Sequence, residues 1–156
     1  MVKSNELFSK NYKIGVKTEE AIKDYFVGAG FNIIKFDIDS EFEECNKVCP
    51  IPKAIGQKMP YARWIIYNQC SRPDFIINFN KPILIETQYK NKKFLWVNTR
   101  DYKDYILWAK ILQIPLYIIM FVKDEEAYYI HKLELETDKL KTFVTRHDKN
   151  EVFDVT

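Results

Sequence analysis

Acidic side chains are nearly missing from the middle of this chain. Within residues 45–100 only Asp74 and Glu86 are acidic, where an even spread of the 22 acids over 156 residues would place about eight. The same stretch carries ten lysines and arginines, so a net charge of +2 conceals a middle third at +8 between two net-acidic ends. A basic stripe of this kind is the electrostatic footprint of a nucleic-acid binder. The plainer reading is a solvated basic surface.

Other scarcities exclude other functions. There are two histidines, three cysteines and four glycines. An odd cysteine count argues against a disulfide framework. Cys45 and Cys49 have a zinc-like spacing, but His131 and His147 lie far downstream, and structural zinc sites favour paired short spacings. No glycine-rich loop cradles a phosphate, and no Cys–His or Ser–His pairing suggests a covalent nucleophile. No apolar run reaches membrane-spanning length; Leu116–Val122 is only seven residues,. The N-terminus has no apolar signal region, which predicts an intracellular protein. Neither repeats nor a low-complexity linker divide the chain, and 47% apolar residues over this length suit one domain, 1–156, with a real core.

What is present is organised around residues 71–90, SRPDFIINFNKPILIETQYK. They read as two β-strands with a tight connection at Asn80. Each strand holds one carboxylate among apolar neighbours, and carboxylates are almost never buried there unless paired or metal-bound. If paired positions sum to an even number, Asp74 and Glu86 share a face. A loop of three or five residues around Asn80 then places them opposite each other, with Cβ atoms about 4.5–5.5 Å apart. That separation lets both hold one Mg²⁺ (or Mn²⁺) at about 2.0–2.1 Å. The Thr87 backbone carbonyl is a further candidate ligand. Gln88 and Lys90 follow Glu86 at intervals of two and share its face. The bland alternative is a pair of structural carboxylates hydrogen-bonded at strand ends.

Around this hairpin the pattern predicts a helix capped by Thr18 and ending at residues 28–30, with Ile22, Phe26 and Ala29 buried and Glu19 on their side. Residues 1–14 read as either a short helix or an arm. A strand follows over 31–38, then an irregular stretch, then a short helix opened by Pro60, where Tyr61, Trp64 and Tyr67 lie among basic residues. Beyond the hairpin come a strand over 94–97, a helix capped by Asn98 or Thr99 and running to about Gln113 with Tyr102, Tyr105, Ile106, Ala109 and Leu112 as its buried face, an apolar strand at Leu116–Val122, a strand over 127–131, and a hairpin across 147–150. Arg63, Arg72, Lys90, Lys92, Lys93 and Arg100 are the candidate DNA contacts.

The order of helix with glutamate, strand, Pro73-Asp74 strand, Glu86-x-Gln88 strand, helix and apolar strand resembles the PD-(D/E)XK nuclease superfamily. That superfamily includes restriction endonucleases and archaeal Holliday junction resolvases. The resemblance covers about residues 15–122. It implies an α/β fold with a mixed central β-sheet flanked by helices, a restriction-endonuclease-like αβββαβ core, followed by C-terminal strands over 123–156. It implies a Mg²⁺- or Mn²⁺-dependent nuclease acting on DNA, with Asp74 and Glu86 as ligands and Glu19 joining them as the first-helix glutamate of the resolvase pattern. A junction resolvase would be a homodimer with paired sites. No membrane partner and no small-molecule cofactor are expected. The chain as a whole also resembles small nucleases of archaeal filamentous viruses, which would place it in a host cytoplasm. Gln88 departs from the pattern, standing where the superfamily has lysine. Glutamine orients water by hydrogen bonds but carries no charge, and Lys90, about 6.6 Å further along the same face, is one substitute. The alternative function is a nuclease fold kept for DNA binding or packaging without chemistry.

Overall fold

The computed structural model describes residues 2–36 and 70–156, the side chains of 2–12 and of Phe79 excepted. The Cys45/Cys49 pair, Arg63 and the aromatic helix expected after Pro60 lie outside the described residues.

Helix α1 spans Val2–Gly28 and does not start at Thr18. The Thr18 hydroxyl donates back to the Ile14 carbonyl at 3.0 Å, the bond by which a threonine stays inside a helix instead of capping one. With no proline before Gly28 to stop it, the helix takes in residues that the sequence left undecided. It ends at Gly30, which adopts φ 86°. The Gly30 amide donates to the Val27 carbonyl and the Phe31 amide to the Phe26 carbonyl, each at 3.0 Å. The Phe26 and Phe31 rings meet at 6.3 Å, the hydrophobic contact that usually accompanies this left-handed helix stop. The chain then enters β1 (Asn32–Lys35).

Strands β2 (Phe75–Phe79) and β3 (Lys81–Lys90) form the central hairpin. Their pairs run from Phe75↔Ile85 to Phe79↔Lys81. The turn closes on Asn80 at φ 64°, a conformation that asparagine tolerates better than most residues. After β4 (Trp96–Asn98) the chain forms helix α2 (Thr99–Leu112) and strand β5 (Leu116–Val122), which runs parallel to β3. Parallel neighbours need a long crossover, and α2 supplies it. Strand β6 (Ala127–Lys132) completes a five-stranded mixed sheet of order β1-β2-β3-β5-β6. The expected C-terminal hairpin forms from β7 (Lys141–Val144) and β8 (Glu151–Asp154), and β4 joins it in a second sheet of order β4-β8-β7.

Asn98 caps α2: its side chain accepts from the Arg100 amide at 3.0 Å. Asn98→Ala should therefore cost about 1 kcal/mol, read as a lower denaturation midpoint at unchanged slope.

Alternation along β3 decides what the two layers touch. Even-numbered positions face α2, where Leu84 packs with Ile76, Ile118, Met120, Tyr102, Trp108 and Leu112. Odd-numbered positions face α1, where Ile85 packs with Phe75, Ile77, Ile119 and Ile22. A charged side chain in the middle of β3, such as Glu86, is therefore buried beneath a helix. No helix among the described residues is long and apolar enough to cross a membrane.

Candidate metal centre

The site forms just before β2 begins, where β3 runs on past its last pair with β2 and keeps β5 as its neighbour. Pro73 is buried just before it. The Asp74 amide donates to the Ile85 carbonyl at 2.9 Å, and the Asp74 carbonyl accepts from the Phe36 amide at 2.7 Å. Neighbouring strands on both sides thus hold the Asp74 backbone. Its Oδ2 accepts from the Thr87 amide at 2.8 Å and from the Thr87 hydroxyl at 2.6 Å. The pairing register carries Asp74 to a position opposite Glu86.

Glu86 is 8% exposed. Its Oε1 accepts from the Tyr105 hydroxyl of α2 at 2.7 Å, while its Oε2 is buried and has no hydrogen-bond partner among the described residues. Burial pushes the Glu86 carboxyl well above the usual range, and the charge of Asp74 adds to the rise. Burial also raises Asp74, opposed by the two Thr87 bonds and by Lys35. The two carboxyl groups are close enough for the Asp74 charge to act on Glu86. When both are ionised, neither has a proton to donate to the other. Only a retained proton or a cation between them removes that penalty.

Glu19 of α1 is half-buried, whereas Glu20 is exposed. Its carboxyl is raised by burial and next by the charge of Asp74, so all three acids share one electrostatic neighbourhood. Among the described residues no three histidine, cysteine, aspartate or glutamate side chains converge as a metal-binding group. The donor set is therefore the Asp74–Glu86 pair with other oxygens nearby. This suits Mg²⁺, which keeps several waters and takes one or two carboxylates. It does not suit zinc, which wants nitrogen and sulfur.

Gln88 lies two residues beyond Glu86 on the same face, and its Oε1 is also buried without a partner among the described residues. Lys90 is drawn inward: its ammonium donates to the Trp96 carbonyl at 2.6 Å, and burial lowers its pKa. It is engaged inside the protein, not displayed as a phosphate contact. Lys92, Lys93, Arg72 and Arg100 are exposed. Lys93 also lies 3.9 Å from Glu125 and over the Tyr129 ring.

Three features were missed by the sequence reading. Tyr105 had been assigned to packing alone. Lys35 ends β1 opposite Phe75 and lowers both Asp74 and Glu19. Ser71 is clamped to α2: its amide donates to Asp104 at 2.8 Å, its hydroxyl to Asp101 at 2.5 Å, and its carbonyl accepts from the Trp108 indole at 3.0 Å. The two aspartates lie three residues apart on α2, a spacing that faces both one way, which was the one available signal.

No family model matches the chain, and no curated protein matches it. Among solved structures it is similar to Hjc of Archaeoglobus fulgidus, a Holliday junction resolvase from an archaeal hyperthermophile. The two share 15% identity at a TM-score of 0.51, over 90% of this chain and 83% of that one. The fold is restriction-endonuclease-like. Hjc belongs to the PD-(D/E)XK superfamily, and the restriction-endonuclease-like core explains why a parallel β3–β5 step sits beside an antiparallel hairpin here. A viral origin rests on the sequence resemblance alone.

Proposed function

We propose that this protein is a metal-dependent nuclease that hydrolyses DNA phosphodiester bonds, most readily in duplex. The observation that carries the reading is the buried, donor-less Oε2 of Glu86 set against Asp74. An uncompensated pair of this kind is expensive to fold and is what a divalent cation would repair. Asp74 and Glu86 would hold Mg²⁺ or Mn²⁺. The Thr87 amide points to Asp74 on the β2 side of β3, and strand geometry turns its carbonyl to the same side, where it would serve as a third oxygen. A bound ion supplies an acidified water and neutralises charge developing on the phosphoryl oxygens. Glu19 would accept a hydrogen bond from a water in that shell, and Gln88 would orient the attacking water. Lys92, Lys93, Arg72 and Arg100 would contact phosphates.

The second reading, a nuclease fold that binds or packages DNA without cutting it, is favoured by one observation. The motif lysine is absent, and Lys90 is tied to the Trp96 carbonyl. Incubation with linear and circular duplex, single strands and a four-way junction, with Mg²⁺, Mn²⁺ or chelator, separates the two. Cleavage only with the ion, lost at least about 100-fold in Asp74→Asn while DNA binding persists, is the expected result. Salt-sensitive binding with no cleavage in either ion would establish the binding module. Preferential cutting of the junction would require a two-fold dimer, and a monomer by sedimentation would exclude it.

A further inference from the structure

We propose that Gln88 is itself an oxygen ligand of the metal centre, where the superfamily pattern has a cation. The proposal rests on the metal-dependent reading above and specifies how this chain differs from the pattern. Among the described residues, Glu86 Oε2 and Gln88 Oε1 are the buried side-chain oxygens or nitrogens without a hydrogen-bond partner. They are not scattered. They lie two residues apart on β3, opposite Ile118 and Met120 of β5, so both project from one face with Cβ atoms about 6.6 Å apart. Two buried acceptors that lack donors in one place point to one missing species, since native interiors leave few such groups.

Among the described residues, the donors nearest these oxygens have other partners. The Tyr105 hydroxyl serves Glu86 Oε1 at 2.7 Å. The Lys90 ammonium serves the Trp96 carbonyl at 2.6 Å. The Thr87 amide and hydroxyl both serve Asp74 Oδ2. The missing species therefore faces acceptors, and where the proton on Glu86 has left, two carboxylates are at hand to supply negative charge. A hard divalent cation does this. An amide carbonyl is among the ordinary oxygen ligands of such ions, and it adds a ligand without adding charge.

The charge balance also separates glutamine from lysine. A lysine at position 88 would add one positive charge beside Asp74 and Glu86 and repel the ion before DNA arrives. Gln88 adds no charge and contributes a dipole, so the centre should hold its metal without nucleic acid. With the amide turned the other way, Gln88 would donate its N–H to a neighbour and take no part in ion binding.

The test measures Mn²⁺ binding to the full chain at pH 7.5 by calorimetry and water-proton relaxation, without DNA. Gln88→Leu keeps the bulk and removes the oxygen; affinity should fall about 10-fold or more. Gln88→Lys should bind more weakly still. Gln88→Glu should bind more tightly than the parent and gain more in melting temperature on adding Mn²⁺. Unchanged affinity in Gln88→Leu, or full affinity with faster cleavage in Gln88→Lys, would overturn the ligand role. If Gln88→Leu does not fold, Gln88→Glu decides alone, and no gain in affinity sinks the proposal. Glu86→Ala separates the two levels. Loss of Mn²⁺ in that variant, with Gln88→Leu unaffected, refutes only the role of Gln88. No binding by the parent protein refutes the metal centre and the ligand together.

Discussion

Glu86→Gln should lose DNA cleavage by about 1000-fold or more and, without metal, make the protein more stable. The amide is nearly isosteric with the carboxylate. Its oxygen can keep the bond from the Tyr105 hydroxyl, 2.7 Å in the parent. Its –NH₂ then stands where Oε2 now lacks a donor, and it can donate to Asp74. The substitution removes a buried charge and satisfies an orphaned position, worth about 1–3 kcal/mol. The same change removes a charged ligand. Metal assistance supplies several kcal/mol of transition-state stabilisation, and each 1.36 kcal/mol is tenfold in rate. The two effects have opposite signs because the same carboxylate is a burden on the empty fold and a ligand in the loaded one.

The pH dependence follows from the direction of the shifts. Glu86, Asp74 and Glu19 all have carboxyls raised in the folded protein, chiefly by burial. An acid raised in the native state leaves the fold favoured at low pH. That contribution is full below the unfolded values near 4 and is lost as pH rises through the raised native values. The metal-free parent should therefore lose stability as pH rises above about 4 and these three carboxyls ionise,. The advantage of Glu86→Gln should be larger at pH 8 than at pH 5, because the parent carboxyl holds its proton more fully at the lower pH,. Mn²⁺ at 100 times its dissociation constant should return about 2.7 kcal/mol to the parent and little to the variant. Urea unfolding with chelator or Mn²⁺ at the two pH values measures all of this. A variant no more stable than the parent at pH 8 would mean that Glu86 is not a strained charge.

The convergence of Asp74 and Glu86 could be read from the sequence because it depends on local rules. Asn80 and the strand period set the register, and an even sum then puts two side chains on one face. Helix α2 was legible for the same reason: Asn98 and a buried stripe from Tyr102 to Leu112 mark it. What failed depended on contacts distant in sequence. Thr18 looked like a cap because threonine caps often, but its hydroxyl found the Ile14 carbonyl within a longer helix. The 94–97 strand was foreseen, yet nothing local says that it pairs with β8, some fifty residues later. Lys90 was placed on the correct face, but the reach of its stem to the Trp96 carbonyl depends on where β4 passes. Tyr105 was recognised as buried, while its hydroxyl partner could not be known until α2 was laid across β3. The missing charge at Gln88 was visible from the first. Its meaning depends on the orphaned oxygen beside it, which only coordinates reveal.

Trp108→Ala should be the most destabilising single change in α2, by about 3–5 kcal/mol, a large part of a typical domain's 5–15 kcal/mol. Trp108 is 2% exposed, its ring meets Phe36 edge-on at 5.0 Å, and its indole N–H holds the Ser71 carbonyl at 3.0 Å. Truncation removes the ring that joins α2 to the residue after β1 and breaks one of three bonds on Ser71. Trp108→Phe separates these losses: it keeps an aromatic against Phe36 and deletes only the indole donor and some volume, costing about 1–3 kcal/mol. Its effect on cleavage tests what positions Asp74. The Ser71 clamp ends three residues short of it, whereas Asp74 has its own bonds to Ile85, Phe36 and Thr87. Four bonds on the residue itself should outweigh a loosened neighbour. Cleavage by folded Trp108→Phe should therefore stay within about tenfold of the parent, less than 1.4 kcal/mol of transition-state energy. A collapse of activity in a variant that remains folded would show that α2 positions the metal ligand through Ser71, and that the hairpin register alone is not enough.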